Sequence, residues 1–567
     1  MLKRRIILPA VLMAASLLPA AQDNPPGAPP ALELTLRPAA PDTAGIIPSV
    51  DVTLVFPVFA TVELAFLPNN VETVARTITL VTARDAAGPL PLRVTDDPES
   101  AEGPARHWSA GRPVQGPVTL RYRAPISNRP APRGAAPPLE LRSDTGAFSG
   151  AGASFLLLPR SAAPDRLRLH WDLSAMPAGA RGVSSLGSGD RTVLLEDAIG
   201  RLKSTFFLAG RLQLFPEQPP ERGFFSAWHG TPPMDLARLM ASEQKLYAFY
   251  EKFFSRPAES PYGVFLRENP VNPGGGMGLT DSFIATFGPK VTAEDLTITL
   301  AHEMLHTFAG GLDQPAGLEG SWFSEGLAVH YARLLALRAG QITPAEFLHD
   351  LNSTAGRYYT NAFLGTPNSE IPKRFWADTR IRVLPYDRGS LYFAVLDTQL
   401  RAASHAQTGL DELLMQFLAR RKRALPLDET AWCSLLEQAL GTPGPESYRA
   451  MLAGALQLPE SGAFGPQFER TTTRLRRYEL GFAPEVLIEP RRVVRGLKED
   501  SAAARAGLRN GDEITRPVPQ DVVQAQQEAT LTLHVSRAGQ SLVITYLPRG
   551  EEVDAWQWRM AGGPPRR

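Results

Sequence analysis

In the first third of the chain, apolar residues recur at every second position. Leu32, Leu34 and Leu36 open the series, followed by Val50, Val52, Leu54 and Phe56, then Val62, Leu64 and Phe66, then Ile78 and Leu80. A period of two sets one face of a strand against a core. Residues 118–122, 155–158 and 167–171 continue the series, separated by turn-rich stretches such as the Pro/Gly/Ala segment 124–138. Short strands with frequent turns predict an N-terminal β-sandwich within residues 23–200.

Near residue 200 the pattern changes. Residues 206–215 still read as strand. Leu236, Leu239, Met240, Leu246, Tyr247, Tyr250, Phe253 and Phe254 recur at helical spacing and predict one long helix over 235–254. Strands at 264–266 and 283–287 flank a glycine-rich segment, 273–281. It lacks Gly-Lys-Ser/Thr and so is no phosphate loop. It reads either as a flexible loop or as a strand edge that an extended peptide can join. Thr292 and Asp295 form a capping box opening the next helix, Leu296, Leu300, Met304, Leu305 and Phe308 bury it, and Gly310-Gly311 ends it. A second helix runs through Leu327, Tyr331, Leu334 and Leu335, and a third over 391–400. Residues 410–458 read as wholly helical, with the basic run Arg420–Arg423 as a solvated helix end. From Tyr478 the period returns to two. There the signals are a Ser501-capped short helix stopped by Gly507, a turn at Asn510-Gly511-Asp512, and a hairpin across Ala538-Gly539. The prediction is a multidomain α+β protein: 23–200 β-rich, 201–475 central with a helical lobe over 390–475, and 476–567 small and β-rich.

The remaining composition narrows the class. The 567 residues are too many for one core. With 59 basic and 58 acidic side chains there is no charge block to suit nucleic acid or an anionic membrane surface. Lys3, Arg4 and Arg5, the apolar run 6–18 and the small residues 19–22 read as a signal peptide over 1–22, predicting an exported, periplasmic or extracellular protein. Arg4-Arg5 permits twin-arginine export, and plain secretion is the other route. No other apolar stretch reaches membrane length, so no stable membrane span is expected. Cys433 is the only cysteine, which excludes an internal disulfide and a Cys-based zinc site.

That leaves His and carboxylate ligands. His302-Glu303-Met304-Leu305-His306 puts two imidazoles one turn apart on one helix face. With nine histidines in the chain, a chance His-Glu-x-x-His is expected only ~0.01 times. Glu303 faces the same space and can take a proton from a metal-activated water. Eighteen residues separate His306 from Glu325, enough for a turn and a second helix bringing in a carboxylate. Two nitrogens and one carboxylate leave the fourth position of a single zinc ion open, the catalytic arrangement. Two surface histidines and a surface glutamate are the plainer reading; Glu319 is a rival ligand, but it sits in a glycine-rich loop.

These motifs resemble those of gluzincin metallopeptidases. The resemblance implies a thermolysin-like catalytic domain, zinc on His302, His306 and Glu325, and Glu303 as base. The spacing to Glu325 is similar to that of alanyl- and leukotriene-A4-type aminopeptidases. Residues 478–547 resemble a PDZ domain: Leu480-Gly481-Phe482 matches its carboxylate loop and Ala506–Ile514 its Ala-Gly-Leu-x-x-Gly-Asp-x-Ile run, implying a C-terminal peptide ligand. Together with the β-rich N-terminal part, the set resembles the glycyl aminopeptidase family. In such enzymes a tyrosine in a Pro-Tyr-x-Lys-Gly-like stretch stabilises the tetrahedral intermediate. Pro385-Tyr386-Asp387-Arg388-Gly389 is similar, with Arg for Lys, which implies that role for Tyr386. The Gly-x-Met-Glu-Asn strand of related aminopeptidases corresponds in place to Gly276, Met277, Gly278, Leu279, Thr280 and Asp281. The substrate-binding residues implied are Gly276, Met277, Gly278, Thr280 and Asp281, with Asp281 the nearest carboxylate. Thr307-Phe308-Ala309-Gly310 replaces the glycyl family's Trp-Asn-Val-Lys-Arg run. The expectation is an exported zinc aminopeptidase acting on peptide or protein substrates. A zinc endopeptidase and a non-catalytic PDZ-based binding protein are the alternatives.

Overall fold

The computed structural model describes residues 32–562, apart from 58, 60, 98–103, 130–135, 161–165, 196, 270–272, 517 and 519. The expected signal peptide and the lead-in to residue 31 lie outside the described residues. The described chain forms two compact units, one of residues 32–247 and Pro257–Ala293, the other of Ala248–Arg256 and residues 294–562.

The first unit is β-rich. In a seven-stranded sheet, Leu32–Pro38 lies between Arg166–Trp171, which is parallel to it, and Ser49–Phe56, which is antiparallel. Ser49–Phe56 pairs onward with Val118–Pro125. The register sets Leu169, Leu34, Leu54 and Leu120 side by side across four strands, each fully buried. One such side chain contributes roughly 1.5–3 kcal/mol on leaving water. A slip of one residue would turn the row to solvent, so the alternation in sequence fixes the register.

One expected strand assignment fails, as does one expected core position within a strand. Gly152–Phe155 is a helical turn, and Leu158 makes only an isolated bridge to Glu63. Residues 155–158 are all buried, and a continuous apolar run has no period to read. Leu80 is not a core position: it sits at an irregularity of the Thr79–Asp85 strand with φ 55° and is 67% exposed. The strands Leu92–Asp96 and Ala105–Ala110, which join Thr61–Ala65 in a small sheet, are short and mostly polar and carry little periodic signal.

Two five-stranded sheets complete the unit, one antiparallel around Phe206–Gly210 and one mixed. In the mixed sheet Gly223–Trp228, Pro261–Glu268 and Ser282–Phe287 run parallel, and Gly276–Leu279 forms one edge, antiparallel to Ser282–Phe287. The glycine-rich segment is therefore an edge strand, not a loop. Met277 on it is fully buried in a core with Phe225, Phe265 and Ile284.

The second unit is helical for most of its length. It contains Ala293–Ala309 from residue 294 on, Ser321–Arg338, Pro344–Tyr359, Leu384–Ala403 and three further helices between 410 and 452. Residues 468–475, expected within the helical lobe, instead belong to the strand Phe468–Tyr478, which pairs antiparallel with Arg549–Met560. Asn352 of the Pro344–Tyr359 helix makes two bonds to the Trp558 backbone, at 2.7 Å each, docking this ribbon on the helices. Between the two strands lies a four-stranded sheet with two short helices. There Ser501 caps Ala502–Arg505 by accepting from the Ala504 N–H, and Gly507 follows at φ 94°. The Leu531–Arg537/Gln540–Tyr546 hairpin turns through Ala538 and Gly539, both left-handed, as a tight two-residue turn requires. Among the described residues, no helix is long and apolar enough to cross a membrane.

Candidate metal centre

The histidine helix, Ala293–Ala309, buries Leu296, Leu300, Met304, Leu305 and Phe308. Tyr250 donates its hydroxyl to the Ala301 carbonyl at 3.2 Å, just ahead of His302. The helix stops at Gly310, whose φ of 64° suits glycine and whose N–H donates to the His306 carbonyl. Two guanidinium groups serve the carbonyls beyond. Arg256 donates to Thr307 and Phe308, and Arg421 donates to Ala309 and Gly311 at 2.7 and 3.0 Å. Cations at a helix C-terminus satisfy orphan carbonyls and oppose the helix dipole. Arg421 is thus a cap on the histidine helix rather than part of a solvated helix end; its partners lie over a hundred residues away, where no local pattern reports them.

The glutamate helix, Ser321–Arg338, begins with Trp322 and Phe323, both fully packed in the core. Its first turns bring in Glu325. The His302 Nε2–Glu325 Oε2 distance is 3.2 Å, His306 Nε2–Glu325 Oε2 is 3.4 Å, and the two Nε2 atoms are 3.2 Å apart. The two imidazole planes stand at 83°. His302, His306 and Glu325 form the one such donor cluster among the described residues, and Glu319 is not in it.

The donor spacing tests the fit to zinc. Ligand atoms at ~2.0–2.1 Å from a tetrahedral centre are about 3.3 Å from one another. The three observed separations bracket that value. The donor set therefore fits one zinc ion in an open, three-ligand site.

The charges around it are perturbed as such a site requires. Burial pushes the Glu303 carboxyl up to about 8, with His306 opposing and Glu325 reinforcing the shift. Its Oε1 is buried and finds no hydrogen-bond partner. For Glu325, burial works in the same upward direction, but His306 and His302 outweigh it and hold the group down at about 2. Burial lowers His302. His306 is raised, because Glu325 overcomes the effect of burial.

Tyr386 stands in the first turn of the tyrosine helix, Leu384–Ala403, and is buried. The sequence pattern starts that helix at 391; it begins a full turn and more earlier, with Pro385 in its first turn where a missing N–H is harmless. The Tyr386 ring stacks near that of His302, with centroids 6.3 Å apart and planes at 17°.

The other expected site residues stand on other elements of the chain. Gly276, Met277 and Gly278 belong to the edge strand of the first unit, and Thr280 bonds Ser204 through their hydroxyls at 3.0 Å. Asp281 sits in the tight turn at φ 50°, where its carboxylate meets Arg201 at 2.9 Å and accepts from Ser260. Leu480 and Phe482 are buried; Gly481, at φ 88°, lies against Ser501 and Ala503, where an added Cβ would come within 2.9 Å.

No protein-family model matches the sequence, and no curated protein does. Solved structures do. An aminopeptidase N family protein from Idiomarina loihiensis is similar over 93% of this chain and 98% of its own, at 16% identity and a TM-score of 0.65. An M1 zinc metallopeptidase from Deinococcus radiodurans covers 76% of this chain and 94% of its own, at 16% identity and a TM-score of 0.45. The first comparison shows a shared fold along nearly the whole of both chains.

Proposed function

We propose that this protein is a zinc-dependent metallopeptidase that removes residues from the amino end of peptides. The observation that carries the reading is the convergence of His302, His306 and Glu325 at tetrahedral spacing beside a buried carboxyl, Glu303, with an unpartnered oxygen. The shared fold with an aminopeptidase N family protein supports it.

His302, His306 and Glu325 would hold a zinc ion, which when bound would supply Lewis acidity toward a peptide carbonyl and a water. Glu303 accepts that water's proton and delivers it to the leaving amine; a pKa near neutrality suits a group that must do both. Tyr386 donates its hydroxyl to the oxyanion that develops on the carbonyl. Glu325 stays ionised as a ligand, and its charge keeps the imidazole pair in place. The Gly276–Leu279 edge strand has one unpaired side, which suits an extended peptide backbone.

We assign residues 23–200 as a β-sandwich, the central part as thermolysin-like, and 476–567 as a PDZ-like domain of the kind found in the glycyl aminopeptidase family. Support for the last is the four-stranded sheet with two short helices and the Leu480-Gly481-Phe482 loop ahead of it. Export to the periplasm or outside follows from the leader-like residues 1–22.

Elemental analysis and two peptide substrates test the function together. One zinc per chain, with cleavage of a free peptide and not of its N-acetylated form, is the expected result. Cleavage of both makes it an endopeptidase. Neither zinc nor cleavage, with binding of C-terminal peptides, makes it an adaptor.

A further inference from the structure

Tyr386 lies in the first turn of its helix, with its ring beside that of His302. The residues that follow it tie this turn to other helices.

Two contacts do so. Asp387, next in sequence, is fully buried and takes both prongs of the Arg357 guanidinium, with Nε to Oδ2 at 2.8 Å. Arg357 is itself buried on the Pro344–Tyr359 helix. A fork of two parallel bonds fixes orientation as well as distance. The second contact is backbone against backbone. An added Cβ on Gly326 would come within 2.6 Å of the Gly389 Cα. Gly326 follows Glu325, and Gly389 lies one turn beyond Tyr386. The helix carrying the third ligand and the helix carrying the tyrosine thus touch at the layer of the metal centre, with no side chain between them to repack. Arg388 adds a third tie, donating to the Thr366 carbonyl at 2.7 Å and to Asn368.

We infer that Asp387 and Arg357, backed by the Gly326–Gly389 contact, are positioning residues that hold the Tyr386 hydroxyl where the oxyanion develops. The inference rests on the reading of Tyr386 as the oxyanion donor. Asp387 acts through Tyr386, so its loss is expected to lower kcat, leave KM nearly unchanged, and add nothing once the hydroxyl is gone.

The test is a double-mutant cycle on the zinc-loaded full chain, with zinc content and thermal unfolding measured alongside. Y386F is expected to lower kcat about 100-fold. D387N is expected to lower it about 10- to 100-fold, as misplacement of a reacting group by ~1 Å does, with one zinc per chain. In the Y386F background D387N should change kcat by less than about 2-fold. R357K, which keeps the charge but loses the fork, should fall between wild type and D387N. Should D387N fail to fold, R357K and R357K/Y386F complete the same cycle. Wild-type kcat in the folded positioning variants, or losses that multiply with that of Y386F, overturn the inference. Wild-type kcat in Y386F overturns the oxyanion reading instead.

Discussion

Two groups of buried charge share the helical unit. In one, Arg333 meets Asp350 at 3.1 Å and Arg357 meets Asp387, so two cations face two anions. In the other, two imidazoles and the Glu325 carboxylate converge on a common point, and the Glu303 oxygen beside them has no partner. Burial is similar; the closure of the charge balance is not. A buried carboxyl without a cation is expensive in a packed core. Where the chain supplies the cation, the group is scaffold. At the second group, a bound zinc ion would supply the balancing positive charge, which is the role proposed for it above.

Removing the metal is the strongest attack on that contrast. Chelation should abolish peptide hydrolysis, and added zinc should restore it, while protein lacking metal keeps the Arg333–Asp350 pair intact. E303Q should lower kcat/KM by roughly 10³-fold with zinc content unchanged; full turnover in that variant would remove the general base from the account.

Next in size is a pH effect confined to the metal-free form of the protein. The raised Glu303 pKa means that the metal-free native state holds a proton that the unfolded chain loses above about 4.5. The stability it confers is present below about 4.5 and lost as pH rises through about 8, by up to roughly 4 kcal/mol. Urea titrations of metal-free protein between pH 5 and 9 should show this decline, and E303Q should flatten it. Glu325 has the opposite sign: its contribution is present above about 4.5 and fades as pH falls toward 2.

The closed group responds differently. R333M strands Asp350 and should destabilise the fold by about 3 kcal/mol, yet the folded fraction should still carry one zinc per chain. A drop in zinc stoichiometry there would mean that the two groups are one system. The smallest effect is expected from R421A, which uncaps the histidine helix and should lower stability by about 1–2 kcal/mol, read as a shift in thermal midpoint.

Much of this was legible along the chain because it is local. The leucine alternation at 32–36 and 50–56, the His-Glu-x-x-His turn, the Ser501 cap and the Ala538-Gly539 hairpin each depend on neighbours within a few residues. What escaped depends on distant ones. Arg421 reads as surface because its carbonyl partners belong to residues 309 and 311. The strand at 468–478 is polar and charged and becomes a strand only by pairing with 549–560. Asp387 is unremarkable beside Tyr386 until Arg357 is placed against it. The glycine-rich 276–279 segment resisted assignment because glycine has little preference of its own; the neighbouring Ser282–Phe287 strand decides it.

The two bonds between Asn352 and Trp558 span 206 residues of chain. A ribosome adding about 5–20 residues per second needs roughly 10–40 s to cover that distance. Throughout that interval the nascent helix that bears Arg357 lacks the ribbon that later covers it. The emerging polypeptide thus carries both histidines and the Arg357–Asp387 pair long before the strand that docks beside them has been made.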